Sequence, residues 1–154
     1  MKKKMIIIGG GISGIYLSIL LKKYLDMDVV VLEANDKPLK KLLATGNGRC
    51  NLSNKDLDKA HYDGDIKPWV NDIIHDFDIV EALKDIGLYT KYMGNLLYPY
   101  SESAKAVQTL FLNRAEEYGV KIICDEEVLS IKKSKHGYFI HAAHQDCLLY
   151  TSDA

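Results

Sequence analysis

The sequence predicts an α/β fold that begins with a strand–turn–helix–strand unit. Three observations support this prediction. A short apolar run, Met5 to Ile8, leads directly into the glycine-rich turn Gly9–Gly14. Apolar residues at helical spacing follow the turn, and the next apolar run ends at a single acid, Glu33, at the expected distance of about 20 residues. This order is typical of a Rossmann-like unit that binds a dinucleotide.

The glycines of the turn have separate physical roles. Gly9 lets the chain turn off the strand, Gly11 lets the backbone approach a pyrophosphate, and Gly14 lets the helix lie close to the strand. The first N–H groups of the helix have no partners within it, so they suit a diphosphate. Glu33 can accept both hydroxyls of an adenosine ribose and would repel a 2′-phosphate. We therefore expect FAD or NAD, not NADP.

Two alternatives stay open for this turn. The glycines can serve only a tight strand–helix connection, with no ligand. A methyltransferase that uses S-adenosylmethionine also has a glycine-rich first turn with an acid after its second strand.

The first helix is predicted over residues 12–24 and the second strand over residues 28–32. Ser18 is a small residue where the helix can approach the sheet. The predicted buried face of the helix comprises Ile12, Ile15, Tyr16, Ile19 and Leu20.

The middle of the chain changes character twice. Residues 42–54 contain glycines, asparagines and an arginine, which predict an ordered loop instead of a helix or strand. Residues 67–86 have a helical pattern in two segments that meet near Phe77-Asp78, with Asp78 as N-cap and Gly87 as stop. Residues 89–100 are rich in aromatic side chains and are predicted to be irregular or to form short strands.

The last third predicts one helix and three strands. The helix is capped by Ser101 or Ser103 and stops at Gly119. Strands follow at residues 120–124, 128–133 and 137–143, the last two joined by a turn at 134–137. This hairpin departs from a plain βαβ repeat. The predicted buried stripe of the helix is Ala104, Val107, Phe111 and Ala115.

The bulk properties exclude several classes of function. The formal net charge of −1 favours neither nucleic acid nor an anionic membrane as partner. No apolar run approaches the ~18 residues of a membrane-spanning helix, and the run after Lys2–Lys4 is too short for a signal peptide. We expect a cytoplasmic protein with a small-molecule substrate, while the substrate's identity and the oligomeric state stay open.

Metal and disulfide chemistry are not expected either. The cysteines Cys50, Cys124 and Cys147 are widely scattered, which predicts no disulfide framework and fits a reducing compartment. His141 and His144 are close in sequence, but no further ligand completes a metal site.

Three segments together carry a family resemblance: the turn Gly9–Gly14, the strand end Leu32-Glu33, and the unusual run Lys41–Asn51. They resemble the HI0933-like flavoproteins, FAD-dependent oxidoreductases of the two-dinucleotide-binding-domain group that include BaiN-type and aminoacetone-oxidase-type proteins. The segment Tyr98–Ala104 resembles that family's aromatic-Pro-x-Ser segment. The terminal hairpin matches its β-meander, and the resemblance covers nearly the whole chain.

The resemblance implies a Rossmann-like FAD-binding domain of glutathione-reductase type with a β-meander. It implies FAD as cofactor, with NAD(P)H as a possible electron donor, and it names no catalytic residue. The turn would bind the pyrophosphate, Glu33 and Ala34 the ribose, and the later loop would reach the isoalloxazine, while the Val128 backbone would lie against the adenine. The implied cofactor-binding residues are Gly9, Gly10, Gly11, Ser13, Gly14, Glu33, Ala34, Lys41, Thr45, Gly46, Asn47, Gly48, Arg49, Cys50, Asn51 and Val128.

Several of these residues have a second interpretation. Arg49 can bind phosphate or tune the flavin, or it can simply form a salt bridge or clamp the loop. Cys50 can be redox-active, but it has no closely spaced partner cysteine, so packing is the favoured role. Tyr98 and Tyr100 can stack on flavin or substrate, or pack the domain.

The chain also departs from the family. Leu39 stands before Lys40-Lys41, where the family usually has glycine. Family members are longer, with an inserted domain after the meander and a C-terminal segment that completes the flavin site. We therefore expect the N-terminal portion of a larger protein, divided into a dinucleotide unit (1–34), a flavin-contacting loop (35–60), a mainly helical part (61–120) and a strand with the meander hairpin (121–150).

The preferred function is the FAD-binding domain of a flavin-dependent oxidoreductase, and this chain alone is expected to be inactive. One alternative is a truncated, non-catalytic fragment or a weak nucleotide-binding module. Another is an NAD-dependent dehydrogenase, against which the Thr45–Asn51 loop argues.

Overall fold

A computed structural model describes residues 3–25, 27–57, 70, 73, 76–135, 137–144 and 146–150, the last five by their backbone. These residues belong to two compact units, one made of Met1–Leu43 with Phe111–Ala154 and one made of Ala44–Leu110. In chain order the elements are β1 (Lys3–Ile8), α1 (Ile12–Tyr24), β2 (Met27–Leu32), a 3₁₀ segment (Lys40–Gly48), β3 (Ser53–Asn54), α2 (Ile79–Asp85), β4 (Thr90–Met93), β5 (Leu96–Pro99), α3 (Ala104–Glu117), β6 (Lys121–Ile123), β7 (Val128–Ser134), β8 (Gly137–Ala142) and β9 (Asp146–Tyr150).

A parallel sheet with the order β1-β2-β6 forms the centre of the first unit. Along the β1–β2 pair, Lys3 lies opposite Met27 and Ile8 opposite Leu32. The predicted βαβ unit is confirmed, and the observed α1 has the predicted bounds. Because β1 and β2 are parallel, Gly9 and Glu33 follow their strands at the same edge of the sheet.

The buried face of α1 differs from the prediction at one turn. Ile15 and Ile19 are fully buried, as expected, but Ile12 is 37% exposed. Ser18 takes a buried position instead, and its hydroxyl donates to the Ile15 carbonyl at 2.6 Å. That bond satisfies the hydroxyl, so a polar side chain can be buried there without the cost of an unpaired group. Tyr16 and Leu20 are half-buried.

The first unit also contains an antiparallel sheet with the order β7-β8-β9. The predicted hairpin is present, with Ser134 opposite Gly137 at its turn. The register shifts between Val128 and Ser130, which indicates a bulge at the start of β7. β9 was not predicted from the residues, and it extends the hairpin into the meander that the resemblance implied.

The second unit contains a small antiparallel sheet with the order β3-β5-β4. The aromatic-rich stretch therefore forms a hairpin, which confirms the prediction of short strands. The Asp78 side chain caps α2 by accepting from the N–H groups of Val80 at 3.0 Å and Glu81 at 3.1 Å. Gly87 has φ +87° just after α2, as its predicted role as a stop requires. Most of the predicted helical segment before Phe77 lies outside the described residues.

The helix α3 confirms its predicted cap, stripe and stop. Ser103 is the cap, because its hydroxyl accepts from the Ala106 N–H at 3.2 Å. Gly119 has φ +70° just beyond the helix. The four predicted stripe residues, Ala104, Val107, Phe111 and Ala115, are each at most 1% exposed.

The loop predicted to start at residue 42 is partly helical. The 3₁₀ segment covers Lys40–Gly48 and is interrupted by non-helical backbone at Thr45, Gly46 and Asn47. Leu42 is buried in it. The apolar pair Leu42-Leu43 supports this turn of helix, which the composition of the whole segment concealed. Among the described residues, no helix is both long and apolar enough to cross a membrane.

Candidate functional site

The turn between β1 and α1 is shaped by two glycines that the fold itself requires. Gly9 has φ +100°, a conformation that disfavours any residue with a Cβ. At Gly14 a Cβ would lie 2.1 Å from the carbonyl oxygen of Gly9 and 3.2 Å from the Ile7 side chain. There is no room for a Cβ at Gly14, because the helix packs closely on the strand, as the sequence predicted.

Gly11 is different, because nothing in the described protein requires a glycine there. Its φ of −71° and ψ of 177° suit any residue, and a Cβ would meet no atom within 4 Å. The space outside its backbone is open. This open space is compatible with the sequence prediction that a ligand approaches the backbone at Gly11.

The N-terminus of α1 adds donors to this open space. No side chain caps it, and no acid lies in its first turn. Gly11, Ile12 and Ser13 are exposed. The free N–H groups and the positive end of the helix dipole can receive an anion. The residues present therefore fit the pyrophosphate of a dinucleotide.

Glu33 lies beside the turn, buried and hydrogen-bonded. It is 8% exposed. Its Oε2 accepts from the Gly10 N–H at 2.6 Å, and its Oε1 accepts from the Asn35 backbone N–H at 2.8 Å and side-chain Nδ2 at 2.5 Å. Burial opposes ionisation of the carboxyl, but the bonds from Asn35 and Gly10 and the charge of Lys40 outweigh it and hold the pKa of Glu33 below 4.5. Glu33 is therefore an ionised acceptor at neutral pH.

Gly10 has a role that the sequence did not reveal. A Cβ on Gly10 would lie 3.0 Å from Glu33 Oε2 and 3.0 Å from the Cβ of Pro38. Glycine at this position lets the backbone approach the carboxylate closely enough to donate to it. No local signal in the sequence could show this, because Glu33 comes from the next strand.

The hydrogen bonds to Glu33 limit what else it can bind. A carboxylate has about four acceptor positions, and three are taken by Gly10 and Asn35. One position remains, on Oε2. While these bonds are kept, Glu33 can accept one ribose hydroxyl, not the two expected from the sequence.

Leu39 shows where this chain departs from the family pattern. Its φ is +61°, the left-handed conformation that glycine adopts without strain, and its side chain is only 2% exposed. Its N–H donates to the Gly10 carbonyl at 2.8 Å. The leucine therefore accepts backbone strain and gains apolar burial in return.

The remaining predicted residues of the first unit are placed as follows. Ala34 and Lys41 are exposed. Val128 is half-buried at the irregular start of β7.

In the second unit, the Thr45–Asn51 loop consists largely of left-handed backbone. The φ angles are +55° at Gly46, +52° at Asn47, +82° at Gly48 and +63° at Cys50. A Cβ on Gly46 would lie 2.8 Å from the Asn51 nitrogen, so this glycine is required by the fold of the loop. Two N–H groups of the loop donate within it, Arg49 to the Gly46 carbonyl and Cys50 to the Thr45 carbonyl, both at 3.1 Å. Asn47, Gly48 and Asn51 are exposed, whereas Thr45 and Gly46 are half-buried.

Arg49 of this loop lies over an aromatic ring. Its guanidinium carbon is 5.2 Å from the ring centroid of Tyr98, which is 5% exposed. The charge of Arg49, after that of Lys91, helps to lower the pKa of Glu102, so the alternative of a salt bridge or loop clamp stays open. Tyr98 packs the unit and supports the guanidinium, while Tyr100 is 65% exposed. Arg49 is exposed, so its N–H donors can reach a ligand.

Cys50 is a packing residue. It is 1% exposed, and burial raises the pKa of its thiol above 9.0 although Thr45 donates a hydrogen bond to it. The reactive form of cysteine is the thiolate, so a buried, protonated thiol is a poor nucleophile. Within the described part of the chain there is also no group of three potential ligands for a metal ion.

The comparisons with known proteins decide the family. The model of the HI0933-like protein Rossmann domain matches residues 3–152. The chain belongs to this family. This membership confirms the predicted fold, a Rossmann-type FAD-binding domain.

Characterised relatives of this HI0933-like chain are longer. This chain is 37% identical over 143 residues to the 3-dehydro-bile acid delta(4,6)-reductase of Clostridium scindens, and the match covers 90% of this chain and 35% of that protein. It is 29% identical over 133 residues to the ribosomal RNA dihydrouridine synthase of Haemophilus influenzae, covering 83% and 32%. The chain thus spans about a third of the length of these relatives.

Solved structures show the same fold at low identity. A flavocytochrome c3 fumarate reductase in its open conformation matches with a TM-score of 0.63 and 17% identity, over 91% of this chain and 30% of that one. The Thermovibrio ammonificans THI4 structure matches with a TM-score of 0.59 and 15% identity, over 97% and 54%.

Proposed function

We propose that this HI0933-like chain binds FAD and forms the cofactor-holding part of a flavin-dependent reductase. The ADP half would lie on the turn Gly9–Gly14 and beside Glu33. Taken by itself, the Thr45–Asn51 loop of the second unit is the segment that the family resemblance assigns to the flavin. The observation that supports this most strongly is Gly11, whose open surroundings and ordinary backbone leave ligand approach as the reason for a glycine.

Each residue would have a defined role toward the bound cofactor. Gly11 and Ser13 at the start of α1 would donate backbone N–H groups to the pyrophosphate. Lys41 would balance phosphate charge. Arg49, held over Tyr98, would place a permanent positive charge near the flavin and favour negative charge on its reduced form. Ala34 and Val128 would border the ribose and adenine.

The bound flavin would supply the redox step, accepting a hydride from NAD(P)H and passing it to a substrate. The chain's own residues would bind and orient the cofactor. The buried thiol of Cys50 takes no part in this proposal. Free thiols at Cys50 and Cys124 fit a cytoplasmic location.

The relatives suggest one class of substrate. The name of the C. scindens enzyme describes reduction of double bonds in a 3-oxo steroid, and dihydrouridine is uridine with two hydrogens added to its ring double bond. Both reactions add hydrogen to a carbon–carbon double bond conjugated with a carbonyl. We propose the same reaction for the protein to which this chain belongs, acting on a small molecule.

Ribosomal RNA is a second candidate substrate. Two relatives, from H. influenzae and Escherichia coli, are ribosomal RNA dihydrouridine synthases. The higher identity to the bile acid reductase and the net charge of −1 favour the small molecule.

The binding of FAD is tested by the visible spectrum of the purified chain after incubation with FAD and desalting. We expect a flavin spectrum, and a rise in melting temperature with added FAD. Glu33→Ala should reduce both the amount of flavin retained after desalting and the rise in melting temperature. Glu81→Ala, which removes an exposed carboxylate paired with Lys84, should change neither. Colourless protein without thermal stabilisation by FAD would favour the alternative of a non-catalytic fragment. Stabilisation by NAD alone would favour the dehydrogenase.

A further inference from the structure

Asn35 is held beside Glu33 by three hydrogen bonds. Its backbone N–H and its side-chain Nδ2 both donate to Glu33 Oε1, at 2.8 Å and 2.5 Å. Its backbone carbonyl accepts from the Asp125 N–H at 3.0 Å. The side chain is nevertheless exposed. Asn35 is therefore fixed in position while one end of its amide stays open to solvent.

The chemistry of Glu33 determines which end of the amide is open. An ionised carboxylate only accepts hydrogen bonds, so the Asn35 nitrogen must face Oε1. The carbonyl Oδ1 is then the free end, and no described residue donates to it. The buried Glu33 carboxylate thus has the exposed Oδ1 of Asn35 beside it, and the hydrogen bond to Glu33 fixes the orientation of the Asn35 amide.

A ribose diol needs two acceptors, and Glu33 alone provides only one. Three of its roughly four acceptor positions are occupied, which leaves a single position on Oε2. The second hydroxyl requires either the loss of the Asn35 bond or another acceptor close by. Oδ1 of Asn35 is such an acceptor and requires no rearrangement.

We propose that Asn35 is a second ribose-binding residue, whose Oδ1 accepts one hydroxyl of the adenosine ribose while Glu33 Oε2 accepts the other. The inference rests on the proposed function, because it concerns the same cofactor. Asn35 and Glu33 would together determine specificity for the ribose, because they accept a free diol and disfavour a 2′-phosphate. A phosphate ester at that oxygen has no proton to donate to Oδ1, and its charge faces the Glu33 carboxylate.

The test compares the affinities of the wild-type chain and Asn35→Ala for ADP, 2′-deoxy-ADP and 3′-deoxy-ADP by titration calorimetry. Asn35→Ala should weaken the binding of ADP by about three- to tenfold, the range that one hydrogen bond contributes. The substitution should weaken the binding of one deoxy analogue by a similar factor. It should leave the affinity for the other analogue unchanged, because the unaffected analogue lacks the hydroxyl that Oδ1 accepts. The variant keeps the backbone bond to Glu33.

Three other results would overturn the inference. Equal weakening of ADP and both deoxy analogues would mean that Asn35 only positions Glu33. No weakening of ADP would remove Asn35 from the site. Absence of ADP binding by the wild-type chain would overturn the proposed function itself and this inference with it. Asn54→Ala serves as the matched control and should leave all three affinities unchanged. In the described part of the chain, the Asn54 side chain accepts a turn bond from the Asp56 N–H at 3.0 Å.

Discussion

Gly14 lies so close to the carbonyl oxygen of Gly9 that a Cβ on Gly14 would be 2.1 Å from that oxygen. Only three positions earlier, a Cβ on Gly11 would meet nothing within 4 Å. Two glycines of one motif are thus present for different reasons. Gly14 is required by the packing of α1 on β1, whereas the proposed reason for Gly11 is the approach of a ligand.

This difference predicts opposite behaviour of two alanine variants. Gly14→Ala forces the helix away from the strand and should destabilise the fold by about 1–3 kcal/mol, the usual range for overpacking. Gly11→Ala should cost less than about 1 kcal/mol, the range of an N-cap change, yet weaken FAD or ADP. Denaturant unfolding and nucleotide titration measure the two effects. Equal loss of stability in both variants would contradict the assignment.

Leu39 predicts a reversed order of glycine and alanine variants. Leu39→Ala loses buried apolar surface and keeps the left-handed strain, while Leu39→Gly loses the same surface but relieves the strain, worth about 1–2 kcal/mol. The glycine variant should therefore be the more stable of the two by about 1 kcal/mol. At Leu97, equally buried in a strand, the alanine variant should be the more stable. The midpoints of denaturant unfolding measure the order of stability of the alanine and glycine variants at each of the two positions.

Cys50 should be unreactive in the folded chain. Burial raises its pKa above 9.0, so little thiolate is present at neutral pH. Alkylation by iodoacetamide at pH 7.5, followed by mass spectrometry, should modify Cys124 faster than Cys50, because Cys124 is partly exposed. Unfolding in urea should bring the two rates together. Faster labelling of Cys50 in the folded state would restore its redox interpretation.

Glu33 should make stability depend on acid pH. Its folded pKa lies below the ordinary value of 4.5, so its contribution is complete above pH 4.5 and is lost as the pH falls through the folded pKa. Glu33→Gln removes this contribution. The stability difference between wild type and variant should be largest near neutral pH and shrink below pH 4.5. A constant difference for Glu33→Gln would contradict the prediction.

Local patterns were sufficient for most elements. The bounds of α1, the caps at Asp78 and Ser103, and the buried stripe of α3 depend on residues within a few positions of each other. For the same reason, the Gly9–Gly14 turn and the Thr45–Asn51 run are enough to identify the family from the sequence alone. The helical turn that precedes Thr45 was missed because its two leucines are outnumbered by loop-forming residues.

The binding chemistry of the site was less accessible from the sequence. The sequence places Glu33 at the end of its strand, but not the Gly10 and Asn35 donors that fill most of its acceptor positions. It names Arg49 but not the Tyr98 ring beneath it, and it places Leu39 but not its left-handed backbone. Element type follows from short-range periodicity and turn chemistry. Which acceptor stays free depends on contacts between residues far apart in the chain, and these exist only after the strands and loops have packed.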